Sequence, residues 1–172
     1  MKMLKNKPEK KLEIEKRILL KKMPELKKFD KTQHIKQYYT PSGRYRVIHD
    51  LTNVGIKNHS SLIKYIKTIK STISAGVNHE EENEVTKKEF DKEIKKATRV
   101  LTKIRYIKKV GKYKWEIDVF SGLNLIIAEI EVNSKKELHT VKIPAFIAKQ
   151  LIMDITGIKQ FSNFNLADPI KK

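Results

Sequence analysis

Polar and apolar residues alternate with period two over much of this chain, the pattern of strands that turn one face to an apolar layer. Leu12–Leu20, LEIEKRILL, sets Leu12 and Ile14 against Glu13, Glu15 and Arg17. His34–Tyr39 and Arg44–Leu51 flank Thr40-Pro41-Ser42-Gly43. Pro fixes one backbone angle there and Gly frees another, so the pair predicts a hairpin. Further strands are predicted at Leu62–Lys70 and, after a polar loop around Ser74–His79, at Glu82–Val85. Thr102–Val110, Tyr113–Phe120 and Leu125–Asn133 follow one another across turns at Gly111 and Gly122, which predicts an antiparallel meander.

Helical spacing is rarer. Thr86-Lys-Lys-Glu89 resembles a capping box, and Phe90, Ile94, Ala97 and Leu101 continue it into a helix of about three turns. Pro144, then Phe146, Ile147, Leu151, Ile152 and Ile155 before Thr156-Gly157, predict a second helix with Pro at its start and Gly past its end. A short helical turn around Pro24 and ordered coil over Phe161–Pro169 complete the reading. No repeat or low-complexity linker divides the chain, so a single domain is expected over 12–169 behind a basic tail, 1–11.

Composition narrows the partners. The 172 residues suffice for one domain with a sizeable core, and 38 Lys and Arg against 20 Asp and Glu leave a net charge of +18. That sign favours polyanions such as polyphosphate, nucleotides or nucleic acid. Most individual lysines read as solvated surface. The absence of Cys excludes disulfides and thiolate metal sites. No apolar run approaches the roughly 18 residues that span a bilayer, so a soluble cytoplasmic protein without a membrane partner is expected. His34, His49, His59, His79 and His139 show no metal-ligand spacing and read as structural or surface residues. Tyr106, Tyr113 and Trp115 beside Lys108, Lys109, Lys112 and Lys114 read as strand packing next to solvated charge rather than as nucleic-acid contacts.

The strands repeat their charges. Residues two apart share a face, so Glu13/Glu15, Glu82/Glu84, Glu116/Asp118 and Glu129/Glu131 are same-face acids, and Arg44/Arg46 and Lys103/Arg105 are same-face bases. Any one pair fits an ordinary solvated sheet face. Like charges recurring side by side fit better if counter-ions sit between them. Carboxylates suit Mg²⁺ or Mn²⁺, and Arg and Lys suit phosphate oxygens, so one cavity lined by both would hold a metal–polyphosphate complex.

These residues resemble, in order, the triphosphate tunnel metalloenzymes of the CYTH superfamily. LEIEKRILL resembles the N-terminal E-x-E-x-K strand, with Arg17 where the family has Lys. The likeness runs through Ile35–Tyr39, Arg44–Arg46, Ile69–Lys70, Glu82–Glu84, Lys103–Tyr106, Trp115–Phe120 and Ala128–Glu131. It closes with Ser162–Ala167, similar to the S-N-x-x-L-A element of the compact bacterial branch, and so covers Leu12 to Pro169. The resemblance implies an α+β fold, a closed antiparallel eight-stranded β-barrel with flanking helices outside. It implies that Glu13, Glu15, Asp118, Glu129 and Glu131 hold Mg²⁺ or Mn²⁺, with Glu13, Glu15, Glu129 and Glu131 catalytic. Arg17, Arg44, Arg46, Lys70, Lys103 and Arg105 would grip phosphates, and Glu82, Glu84 and Glu116 would line the tunnel. The expected activity is metal-dependent hydrolysis of inorganic triphosphate or a related short polyphosphate or organic triphosphate. Two alternatives are an adenylate cyclase of the class IV type and a non-catalytic polyphosphate or nucleic-acid binding module.

Overall fold

A computed structural model describes residues 11–52 and 62–171. The basic tail, apart from Lys11, and His59 lie outside the described residues. The strands are β1 (Lys11–Leu20), β2 (Lys31–Thr40), β3 (Gly43–Asp50), β4 (Ile63–Ser74), β5 (Val77–Glu84), β6 (Arg99–Val110), β7 (Tyr113–Phe120), β8 (Ile126–Val132), β9 (Leu151–Asp154) and β10 (Asp168–Pro169). Helices α1 (Lys87–Glu93), α2 (Lys135–Thr140), α3 (Ala145–Ala148) and α4 (Asn163–Leu166) are short. β6, β2, β3, β4, β5, β1, β8 and β7 pair in that order, and β6–β7 pairing closes the ring into an antiparallel eight-stranded barrel. The expected fold class is what forms.

Strand alternation decides what each face does. Ile14, Ile18, Trp115, Ile117, Ala128, Ile130 and Val132 point outward from β1, β7 and β8 and are covered by Leu138, Val141 and Ile147 from the segment carrying α2 and α3. The main core is therefore outside the barrel. Phe90 of α1 covers the outer face of β2–β4, with ring centroids 5.9 Å from Tyr38, 6.4 Å from Tyr45 and 4.9 Å from Tyr65. At one end of the ring the inward positions also turn apolar. Leu19, Leu101, Phe120 and Ile127 meet Ile155, Ile158, Phe161, Leu166 and Ala167 of the C-terminal segment there, and this layer floors the barrel.

Several element boundaries differ from the sequence expectation. The capping box forms, Thr86 Oγ1 accepting from Glu89 N at 3.2 Å, but α1 stops at Glu93, with one 3₁₀ turn behind it. Leu101 belongs to β6 and the floor, so its helical spacing to Phe90 is incidental. The second expected helix ends at Ala148, and Leu151–Asp154 is a strand. β5 pairs β1 only as far as Ile14, which leaves the rest of that β1 edge with open backbone groups. β9 fills it, and Ile155 N donates to Arg17 O at 2.9 Å. The polar stretch 74–79 is not a loop: β4 runs to Ser74 and β5 starts at Val77. No helix forms around Pro24, and the C-terminal coil contains a 3₁₀ turn, α4 and β10.

Candidate functional site

The barrel interior is a cavity of about 1260 Å³ whose walls are the inward positions of its strands. Glu13, Glu15 and Arg17 enter from β1, Gln37 and Tyr39 from β2, Arg44 and Arg46 from β3, and Thr68 and Lys70 from β4. Asn78, Glu80 and Glu82 enter from β5, Lys103 and Arg105 from β6, Glu116 from β7, and Glu129 and Glu131 from β8. Of the residues expected at the site, Glu84 and Asp118 are not on this wall. Glu84 ends β5, and Asp118 is fully buried behind Lys103 and Arg105.

Near the floor the charges neutralise one another. Asp118 Oδ1 accepts from Arg105 Nε at 2.7 Å, and its Oδ2 accepts from Arg105 Nη2 at 2.7 Å and from Lys103 Nζ. Arg105 also reaches Glu116, and its Nη2 lies 3.1 Å from Glu129 Oε2. Arg17 Nε donates to Glu129 Oε1 at 2.9 Å, and its Nη1 donates to the Phe161 carbonyl at 2.8 Å, tying β1 to the C-terminal segment. Arg17 Nη2 lies 2.8 Å from the same Glu129 oxygen, out of line for a second hydrogen bond. Burial opposes ionisation of Glu129, but Arg17, Lys103 and Arg105 outweigh it and hold its pKa far below the carboxylate range. Burial also lowers the pKa of Lys103 despite Asp118.

Elsewhere charge is left over. Arg44 Nη2 meets Glu80 at 2.9 Å, and Arg46 Nη2 meets Glu82 and, at 3.1 Å, Thr68 Oγ1. The Nε–H groups of both arginines are buried without a partner. Burial, and next the neighbouring Arg44, push the Arg46 pKa down to about 10. Three places around the ring, Glu13 and Glu15 have the opposite deficit. Burial raises both pKa values, Glu80 adding to the effect at Glu13 and Glu129 at Glu15. The ammonium of Lys70 sits between them, 3.1 Å from Glu15 Oε1. Glu131, opposite Glu15 in the β1–β8 register, is paired with Lys11.

Divalent-metal chemistry fits part of this donor set. Glu13 and Glu15 are carboxylates short of positive charge, which suits a hard cation. Asp118 does not fit, because both its oxygens are taken by Lys103 and Arg105, and Glu129 is likewise spent on Arg17 and Arg105. Among the described residues no three acidic or histidine side chains converge on one point as they stand.

Sequence reasoning overlooked Glu80, Asn78, Gln37, Tyr39 and Thr68 on the wall. Glu80 was within reach of the parity argument, since it precedes Glu82 by two on the same face. The four described histidines are off the tunnel wall, and Trp115 packs in the outer core as expected.

No protein-family model matches the chain, and no curated protein matches it. Solved structures do. The inorganic triphosphatase NE1496 aligns at 22% identity and TM-score 0.55, over 90% of this chain and 93% of that one. The PH1819 protein from Pyrococcus horikoshii OT3 aligns at 19% and 0.54, over 74% and 82% of the two chains. A candidate adenylate cyclase from Bacillus halodurans aligns at 14% and 0.53, over 88% and 98%. At these identities the likeness is one of fold alone, and it agrees with the ring closure: the chain shares a closed antiparallel eight-stranded barrel with these structures.

Proposed function

We propose that this protein is a divalent-metal-dependent phosphoanhydride hydrolase acting on inorganic triphosphate or a related short polyphosphate. One observation carries the reading. A single cavity presents two arginines whose buried Nε–H groups have no partner and two glutamates that share one cation. A metal–triphosphate complex supplies both deficits at once.

In this reading Arg44 and Arg46 turn their free Nε–H groups to phosphate oxygens, and Lys70 adds a mobile positive charge. Glu13, Glu15 and Glu131 would hold Mg²⁺ or Mn²⁺, whose contribution is to neutralise charge on the transferred phosphoryl group. Arg17, Lys103 and Arg105 do not grip substrate as free cations. They hold Glu129 and Asp118 and keep the wall rigid, so that little reorganisation accompanies the reaction. Glu131, 44% exposed at its side chain and next to Glu15 across the β1–β8 ladder, has solvent access and orients the attacking water.

The cavity also exceeds the roughly 300–1,000 Å³ usual for small-molecule pockets. That favours keeping a second reading, cyclisation of ATP, in the same experiment. Phosphate release from tripolyphosphate, ATP and thiamine triphosphate is measured with Mg²⁺ and Mn²⁺, and cyclic AMP is measured in parallel. The expected result is metal-dependent phosphate release from tripolyphosphate, abolished in Glu131→Gln. Tight triphosphate binding without turnover of any substrate would leave a binding module and sink the enzyme.

A further inference from the structure

Lys70 differs from every arginine on the tunnel wall. Each guanidinium has a carboxylate of its own side of the network: Glu80 for Arg44, Glu82 for Arg46, Glu129 for Arg17 and Asp118 for Arg105. Glu13 and Glu15, by contrast, share one cation, the Lys70 ammonium. Glu80 is the register partner of Lys70 and adds to the negative field around it, and Glu131 stands opposite Glu15. Asn78 Nδ2, a neutral donor, also reaches Glu13 Oε2 at 3.2 Å.

We infer that Lys70 is the resident counter-ion of the cation site between Glu13 and Glu15, and that a divalent metal enters there by displacing its ammonium into the cavity. The inference rests on the metal-dependent reading above. Two partly buried carboxylates around one ammonium keep a net negative charge, and one divalent ion balances them. Carboxylate oxygens are the ligands such an ion prefers. The displaced group is a compact point charge on a flexible four-carbon stem, able to swing where a guanidinium held by two parallel hydrogen bonds is not. In the cavity it lacks an anion, and the triphosphate provides one. Metal and triphosphate therefore favour each other's binding through Lys70 as well as through their own contact, and the coupling is reciprocal.

The test titrates Mn²⁺ into the full chain without substrate and follows the electron paramagnetic resonance signal of the free ion. Lys70→Met removes the competing charge and is expected to bind Mn²⁺ about tenfold tighter than the parent. Lys70→Arg keeps the charge and the fold but locks onto both carboxylates, and is expected to bind about tenfold more weakly. This second variant decides the question if Lys70→Met does not fold without metal. Equal Mn²⁺ affinity in the parent and a folded variant overturns the role of Lys70 alone. No Mn²⁺ binding by the parent or by either variant overturns the metal-dependent reading as well.

Discussion

Replacing Asp118 by Asn separates two roles that its position in the sequence leaves open. The side chain is fully buried, Lys103 beside it is 2% exposed, and its two oxygens accept from three cationic donors. Asparagine keeps the shape and one acceptor but turns an amide N–H₂ toward a donor, leaving buried positive charge unanswered. Breaking a buried ion pair costs about 3–5 kcal/mol, and the retained oxygen puts this case near the lower figure. For a chain of this size about 3 kcal/mol corresponds to a fall in Tm of about 6–12 °C. The assay is thermal unfolding by circular dichroism in EDTA, beside Mn²⁺ binding by the same protein. Strong destabilisation in EDTA is the expected outcome, since the loss precedes any metal. A variant that melts within about 2 °C of the parent while losing its Mn²⁺ affinity would make Asp118 a metal ligand and refute the argument.

Glu129→Gln should cost most stability near neutral pH and progressively less in acid. The folded pKa of Glu129 lies below its ordinary 4.5, so its stabilisation is complete above that value and is lost as pH falls. Urea unfolding at a series of pH values checks this, and a gap to the parent that widens in acid contradicts it. Arg46→Gln should weaken tripolyphosphate binding about 10- to 100-fold by calorimetry. Its Tm should hold or rise because crowding with Arg44 is relieved; unchanged affinity with a lower Tm would assign Arg46 to structure instead. Gly76→Ala should destabilise by about 1–3 kcal/mol in denaturant melts. Gly76 has φ +69°, and a Cβ there would fall 2.7 Å from the Glu15 carbonyl oxygen; a neutral substitution would mean that the β4–β5 turn can shift.

Much of the barrel was legible because its strands carry a division of labour in their parity. Ile14 and Ile130 face a dry outer layer while Glu13, Glu15 and Glu129 face the cavity, and this alternation survives in a single sequence. β5 was hard to read for the opposite reason. Asn78, Glu80 and Glu82 line the tunnel while His79, Glu81 and Asn83 occupy the outer face, so neither face is apolar and the ladder with β4 holds the strand. Leu151 and Ile152 were placed with Ile147 in the second expected helix, yet they are exposed, and the open edge of β1 decided their conformation. Sequence reasoning missed α2, although Ser134-x-x-Glu137 is a capping signature that could have found it: Glu137 N donates to Ser134 Oγ at 3.1 Å. At the site, residue types and faces were readable but partners were not. Nothing local in Asp118 or Glu129 tells that cations from other strands have already claimed them.

The apolar floor makes the barrel a cup rather than a pipe. Leu101, Phe120 and Ile127 meet the C-terminal segment at one end, and Arg17 is bonded to Phe161 in that segment. A long polyanion cannot be threaded through such a vessel; only its terminus can be dipped in. If the proposed hydrolysis takes place in it, chain length beyond the depth of the cup adds nothing to recognition, and whatever is cut from the tip leaves past the strand that delivered it.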